Sequence, residues 1–511
     1  MTQSSGYVTD VPYPRRFIEQ LSPPLLRLVA ALNGGAPPPE DDFDYCELGC
    51  ATGDTLMTLA AASPTGRFVG VDLSAQEIAT GRERMRRGEI ANLTLLERDF
   101  EALAGDDLPA FDFITAHGVW TWISRDKREA MLRVVAQKLK PGGLFYMSYN
   151  TLPGWAAVEP LRRLMRDHAA ALPGSPLDRA REGVAFAQRL ADSGVAYFGA
   201  NPAAKSMLAL IQKAGLAYVV HEYFHADWEP MYFADVAADL SRHGLGFLGQ
   251  LPLYLNVRDL AIPPSLRKTA ESVQDRVVLE GLKDFATNEM FRADVFVKGK
   301  PRREASETRY YFEGTRFGTM APSAQVKREA KLPFYTVDYA GPVYEAILGA
   351  IADAPATAME LALRPELAQL GQSRIGDLLQ NLVLGGQVVP MHPLATKAAS
   401  GARPSIPLAS NRVALEEATA EIAPLVLASP VTRMGVHLSL LEALGLHLLT
   451  AVADEEHEAW LRGYAAKRPM PLVVGERKIK DGDELVKVMA REMERLRNGS
   501  LERLRTLGIV A

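Results

Sequence analysis

The stretch 44–55, DYCELGCATGDT, constrains this chain more than any other. An apolar-flanked run over 43–48 predicts a short buried strand. It closes on Glu47-Leu48-Gly49-Cys50-Ala51-Thr52-Gly53, and a helix is expected over 55–62, stopped by Ser63-Pro64. Strand, Gly-rich turn and helix make the ligand corner of an open α/β sheet. Gly49 permits the sharp turn, and Gly53, lacking a Cβ, lets the helix begin close to a ligand. The N–H groups at that helix start are unpaired and can face a polar group. The G-x-G-x-x-G fingerprint is not met, because Ala51 and Asp54 stand where glycines would be needed. The pattern is E-x-G-x-x-x-G, and an acid at the strand end suits a cationic ligand where it would repel a pyrophosphate.

Four more strands follow in the expected rhythm. Strand two, 67–71, ends in Asp72-Leu73-Ser74. Asp72 lies 23 residues past Gly49, near the spacing of an acid that accepts bonds from ribose hydroxyls. Ser74-x-x-Glu77 has the form of a capping box, so a helix begins directly after Asp72. Strand three, 93–97, ends in Arg98-Asp99-Phe100, an acid and an aromatic able to bond and stack on an adenine. Strand four, 111–116, leads into His117-Gly118-Val119-Trp120-Thr121-Trp122. A helix starting at Ser124, with Leu132, Val135, Ala136 and Leu139 as its apolar stripe, stops at Lys140-Pro141-Gly142-Gly143. Strand five, 144–148, runs into Tyr149-Asn150-Thr151-Leu152-Pro153-Gly154-Trp155. Right-handed crossovers put all these strand ends on one edge of the sheet.

The 511 residues are enough for about three domains. A net charge of −5 argues against indiscriminate nucleic-acid binding. Cys46 and Cys50 are the only cysteines, so no disulfide framework is available, and small buried residues in a reducing compartment are the expectation. The start MTQSSGYVTD lacks the marks of a signal peptide and no apolar run reaches about 18 residues, which predicts a cytoplasmic protein. Residues 1–40 form an arm with Tyr7 and Tyr13 that either folds over a ligand or lies on the surface. The sheet core is expected at 41–155 and 216–300, around a helical insertion at 156–215. Helices at 233–243 and 275–288 alternate with strands six and seven at 244–252 and 293–297. The basic run 298–303 marks a boundary, and helix-helix-helix-strand over 340–390 resembles a winged helix within a middle domain at 301–400. Residues 397–403 read as a linker. The C-terminal domain, 401–511, is expected to be mainly helical and to end in one amphipathic helix over 481–505.

The strings ELGCATG, GVDLS, RDF, ITAHGVWTWI and LKPGGLFYMSYNTLPGW together resemble class I S-adenosylmethionine-dependent methyltransferases. SYNTLPGW, HEYFHADWEPMYF and KDFATNEMFRADVFVKG are similar to the members that carry a methyltransferase regulatory domain, and among them to the rickettsial outer-membrane-protein lysine methyltransferases. The resemblance covers about residues 5–300. It implies a seven-stranded Rossmann-like α/β sheet, S-adenosylmethionine as cofactor, protein lysine as substrate, appended C-terminal domains and a homodimer. Ala51 departs from the family, which usually has Gly there, and 52–54 differs from its usual continuation. Cofactor contacts are expected from Tyr13, Glu47, Gly49, Cys50, Gly53, Asp72, Leu73, Asp99, Phe100, Ala116 and His117.

Methyl transfer needs alignment of donor and acceptor and a nucleophile with a free lone pair. It requires no metal, and the chain has no clustered Cys/His ligand set. A lysine amine, with an ordinary pKa near ~10.4, must first lose a proton. Burial beside aromatic faces lowers that value and accommodates the methylated cation. Trp120, Tyr149 and Trp155 are candidates for such faces, although both tryptophans suit core packing equally well. His117, His221 and Glu222 are candidates to accept a proton or orient the amine. Methylation of a small molecule or RNA, and a non-catalytic regulator that senses the cofactor and binds nucleic acid through its C-terminal half, are the alternatives.

Overall fold

The computed structural model describes residues 15–225, 227–393, 403–421, 425–468, 471–474 and 477–511. An arm, 15–22, leads into α1 (Pro23–Leu32), begun by a proline pair that suits the first helical turn. The α/β unit follows as β1 (Asp44–Leu48), α2 (Asp54–Ala62), β2 (Arg67–Asp72), α3 (Ala75–Arg87), β3 (Leu93–Glu97), α4 (Phe100–Leu103), β4 (Phe111–Ala116), α5 (Arg125–Lys138) and β5 (Leu139–Asn150). Five helices come next: α6 (Glu159–Ala170), α7 (Pro176–Asp192), α8 (Ala196–Ala200), α9 (Pro202–Lys213) and α10 (Leu216–Tyr223). The sheet then closes through α11 (Phe233–Arg242), β6 (Leu245–Leu251), α12 (Arg258–Ala261), α13 (Arg267–Ser272), α14 (Arg276–Thr287) and β7 (Phe291–Lys298).

These strands form one seven-stranded sheet in the order β3-β2-β1-β4-β5-β7-β6. β1 to β5 pair in parallel, and β7 inserts antiparallel between β5 and β6. The central strands β1 and β4 are buried along their whole length, the mark of a sheet covered on both faces. This is the expected α/β sheet. Strand β5 is longer than predicted, because Lys140-Pro141-Gly142-Gly143 is taken into it across a register shift against β4 rather than left as a loop.

The helical layer departs from its expected boundary at 215. Trp155, Val158, Leu161, Phe198, Leu208 and Ile211 share one core with Val219 and Tyr223. Residues 216–223 therefore pack as α10 with the inserted helices rather than with the sheet, because their apolar side chains meet that core.

The middle region holds α15 (Ala305–Gly314), β8 (Phe317–Gly318), β9 (Glu329–Lys331), β10 (Thr336–Asp338), α16 (Pro342–Asp353), α17 (Ala358–Ala362), α18 (Gly371–Leu384) and β11 (Val389–Pro390). β11 pairs antiparallel with β8, and the four helices share one core. Helix α1 belongs to two cores: Leu26, Val29 and Ala30 face the sheet, whereas Leu28 and Ala31 enter the middle core.

The C-terminal region comprises α19 (Ala409–Glu421), the hairpin β12 (Leu425–Ser429) and β13 (Met434–Leu438), α20 (Leu440–Ala451), α21 (His457–Ala466), β14 (Leu472–Val474), β15 (Arg477–Ile479), α22 (Gly482–Arg495) and α23 (Leu501–Thr506). The single terminal helix expected over 481–505 is broken, because Gly499 leaves the helical conformation. The expected linker at 397–403 lies outside the described residues except Arg403. Helix α19 packs on α2 and α3, and the β12–β13 hairpin packs on α2. Among the described residues no helix is long and apolar enough to cross a membrane.

Candidate active site

The turn after β1 alternates into the left-handed region at Gly49 (φ 79°), Ala51 (φ 47°) and Gly53 (φ 74°). A Cβ at Gly49 would lie 2.5 Å from Val119 Cγ2, so only glycine fits beneath the β4 loop. Ala51 adopts the same hand where an alanine is strained. Its N–H donates to Asp72 Oδ2 at 2.8 Å, while Ser74 N–H donates to Asp72 Oδ1 at 2.9 Å. Asp72 thus ties the ends of β1 and β2 together, a fastening role beside any ligand contact. Burial pushes its carboxyl above the ordinary value.

Glu47 at the end of β1 is buried, and its Oε2 has no hydrogen-bond partner. Burial, then the neighbouring Asp72 and Asp54, push its carboxyl up to about 8. A buried, unpaired carboxylate oxygen is costly unless a donor or a cation meets it. Cys50 and Ala116 are buried beside this rim, and Leu73 is 57% exposed at the β2 end. Asp99 caps α4 by accepting from Glu101 N–H at 3.1 Å, and it also pairs with Lys127 Nζ at 2.8 Å. Phe100 packs partly buried below it. Tyr13 lies outside the described residues.

At the end of β4, His117 Nδ1 lies 2.9 Å from the Tyr146 hydroxyl and 3.1 Å from Ser148 Oγ. Tyr146 donates its own proton to Gln20 Oε1 (3.2 Å), and Gly118 N–H donates to Ser148 Oγ (2.9 Å). With Nδ1 as the protonated nitrogen facing these oxygens, the lone pair stands on Nε2. Burial, and secondarily the positive Arg16, depress the imidazole to about 4, so it is neutral at ordinary pH. Arg16 lies over the Tyr218 ring, 5.4 Å from its centroid, and Phe291 meets His117 edge-on at 5.9 Å.

The other expected catalytic residues fall elsewhere. Tyr149 points to the opposite face of β5, where its hydroxyl donates to Asp294 Oδ2 at 2.6 Å. Asp294 is itself held by Arg292, which also reaches Asp284 and Glu280 in a buried ionic cluster. Trp120 is fully buried, with its indole N–H on the sulfur of Met231 at 3.2 Å. Trp155 donates to the Met290 carbonyl at 3.0 Å and packs against Tyr223 and Trp228. None of the three is an aromatic wall at the site, because each ring fills a core. His221 is buried in the helical layer on α10. Glu222 acts electrostatically on Tyr218, and so sits at the margin of the Arg16–His117 group. Sequence reasoning missed Arg16, Gln20, Tyr146, Ser148, Tyr218 and Phe291. Strand alternation could have found two of them, since Tyr146 and Ser148 share a face of β5 that Tyr149 does not.

The sheet order with an antiparallel β7, the Gly-rich turn after β1 and the acids ending β1 and β2 define a class I methyltransferase fold. A methyltransferase-domain family model matches residues 46–145, and that of the predicted methyltransferase regulatory domain matches 216–298. The second match includes β6 and β7, so that segment completes the sheet. An uncharacterized Synechocystis protein is 30% identical over 461 residues, 90% of each chain. An uncharacterized Rickettsia prowazekii protein is 29% identical over 289 residues, 55% of this chain and 51% of the other. The structure of PKMT2 from Rickettsia typhi in complex with AdoHcy superposes with a TM-score of 0.69 at 21% identity, covering 97% of this chain and 99% of that one. The chain belongs to the S-adenosylmethionine-dependent methyltransferases that carry a methyltransferase regulatory domain.

The residues present fit that cofactor. The orphaned Glu47 oxygen calls for a cationic or N–H-bearing group, which the cofactor's amino-acid end and sulfonium supply. Gly49 and Gly53 keep the turn bare of side chains. Asp72 stands where ribose hydroxyls would be received.

Proposed function

We propose that the protein transfers methyl groups to lysine side chains of a protein substrate, with the amine entering beside His117. S-adenosylmethionine supplies an electrophilic methyl group. Glu47, Gly49, Gly53, Asp72 and Leu73 hold the cofactor along the rim, with Asp99 and Phe100 at its adenine end. The observation carrying the lysine reading is Arg16, 5.4 Å from the Tyr218 ring centroid, whose positive charge adds to burial in keeping His117 neutral. A fixed guanidinium disfavours a second cation nearby, so it favours the unprotonated amine, the form that can attack. His117 Nε2 accepts a hydrogen bond from that amine and orients its lone pair. With a conjugate-acid value of about 4, the imidazole does not keep the proton, which leaves to water. Phe291, 39% exposed, offers aromatic surface to the methylated product.

The likeness to PKMT2 supports a protein acceptor, as does the chain's resemblance to the rickettsial lysine methyltransferases. We further infer that the protein works in the cytoplasm as a homodimer. The divisions at about 40, 300 and 400 would then separate the arm, the catalytic unit and two appended domains. Incubation with labelled cofactor and fractionated lysate tests the reading. Label at lysine residues of polypeptides, located by mass spectrometry, is the expected result. Label recovered in RNA or small molecules, with none on protein, would overturn it.

A further inference from the structure

The arm at 15–18 runs between the cofactor turn and the C-terminal region and touches both. Arg15 donates to Asp54 Oδ1 at 2.9 Å and to Glu417 Oε2 at 2.8 Å. Phe17 lies on Gly435 of β13, where an added Cβ would meet its ring carbons at 2.8 Å, and it stacks edge-on to His437 at 5.9 Å. Arg16, between them, is the residue beside His117 and Tyr218. Ile18 N–H then donates to Thr55 Oγ1 at 3.0 Å, one helical residue past Asp54. Ile18, which ends this run, has an extended backbone (φ −105°, ψ 97°).

Asp54 directly follows Gly53 and opens α2. Arg84 of α3 bridges Asp54 Oδ1 at 2.6 Å to Glu417 Oε2 at 3.0 Å, and Arg87 adds a contact to Glu417 at 3.2 Å. Arg84, Asp54 and Glu417 are 13%, 17% and 15% exposed, so this network is shielded from water more than an ordinary surface pair. Burial pushes both carboxyls up, but the arginines hold each below its ordinary value, so both are charged.

We propose that Glu417 is a positioning residue for the cofactor and acceptor site: with Arg15, Arg84 and Asp54 it clamps the arm across the cofactor turn, and the C-terminal region thereby fixes Arg16 beside His117. This goes beyond the lysine reading and stands whatever the acceptor is. By linkage, an arm held across the turn retains the cofactor, and bound cofactor in turn holds the arm.

The test is calorimetric binding of S-adenosylhomocysteine to the full chain. Glu417→Ala and Arg15→Ala should each weaken binding about tenfold, and the double variant no further than the weaker single, the pattern of two residues acting as one unit. Arg433→Ala removes different contacts of the C-terminal region, with Asp41 at 2.5 Å and the Glu40 carbonyl at 2.7 Å, away from residues 15–18. It should leave binding within about twofold. In turnover, Glu417→Ala should raise the KM for cofactor while kcat falls less. Cofactor should also slow tryptic cleavage after Arg16 in the natural protein but not in Glu417→Ala. Unchanged binding in both singles, additive losses in the double, or an equal loss in Arg433→Ala would overturn the clamp.

Discussion

The two sides of the site differ in how the chain builds them. The proposed cofactor rim comes from one run, 47–74, continued at Asp99 and Phe100, in which each strand end is followed at once by its turn and helix. The proposed acceptor side is gathered from five separate places: the arm (Arg16, Gln20), β4 (His117), β5 (Tyr146, Ser148), α10 (Tyr218) and β7 (Phe291). Local order fixes the first, and long-range packing fixes the second. Changes at the rim should therefore act on cofactor affinity, and changes on the acceptor side on turnover.

Gly49→Ala should have the largest effect. The left-handed backbone and the 2.5 Å approach to Val119 both oppose a Cβ. We expect cofactor binding to weaken about a hundredfold, about 3 kcal/mol, measured by calorimetry. Normal affinity would show that the turn does not hold the cofactor.

Two tyrosines three residues apart on β5 sharpen the comparison. Tyr146→Phe removes a hydrogen-bond partner of His117 and should lower kcat about tenfold with little change in stability. Tyr149→Phe removes a donor to buried Asp294 and should cost about 2 kcal/mol in urea unfolding, with kcat unaltered. The opposite pattern would move the acceptor site to the other face of the sheet.

Ala51→Gly is the smallest change. Relief of the left-handed alanine slightly exceeds the added freedom of the unfolded chain, so stability should rise by about 0.5 kcal/mol in denaturant titration. A loss of stability would mean that the turn is unstrained at this position.

This division also explains what the sequence disclosed. The strands, and the places of Glu47, Gly49, Gly53 and Asp72 at their ends and turn, were legible because the spacing between turn, acid and helix is local. Lys127 on Asp99 was not legible, since α5 meets α4 only in three dimensions. The tryptophans misled because a large ring near a strand end serves a core as readily as a ligand. Tyr149 misled because its position was weighed without the alternation of the strand. The role of Arg15 depends on Glu417, a partner 402 positions away, which no local pattern could reveal.

Glu47 offers the most direct test of the cofactor rim. Its folded value of about 8 lies above the ordinary carboxyl value, so the folded protein without ligand holds an extra proton. That contribution to stability is fully present below the ordinary value and is lost as pH rises through about 8. A cationic cofactor favours the carboxylate, so binding must expel the proton below that pH. Calorimetry of S-adenosylmethionine binding at about pH 7, in buffers of differing ionisation enthalpy, should record release of nearly one proton, with affinity rising toward pH 8 and both effects absent in Glu47→Gln. Binding without proton release in the natural protein, or with equal release in Glu47→Gln, would contradict a cofactor cradled on this carboxylate.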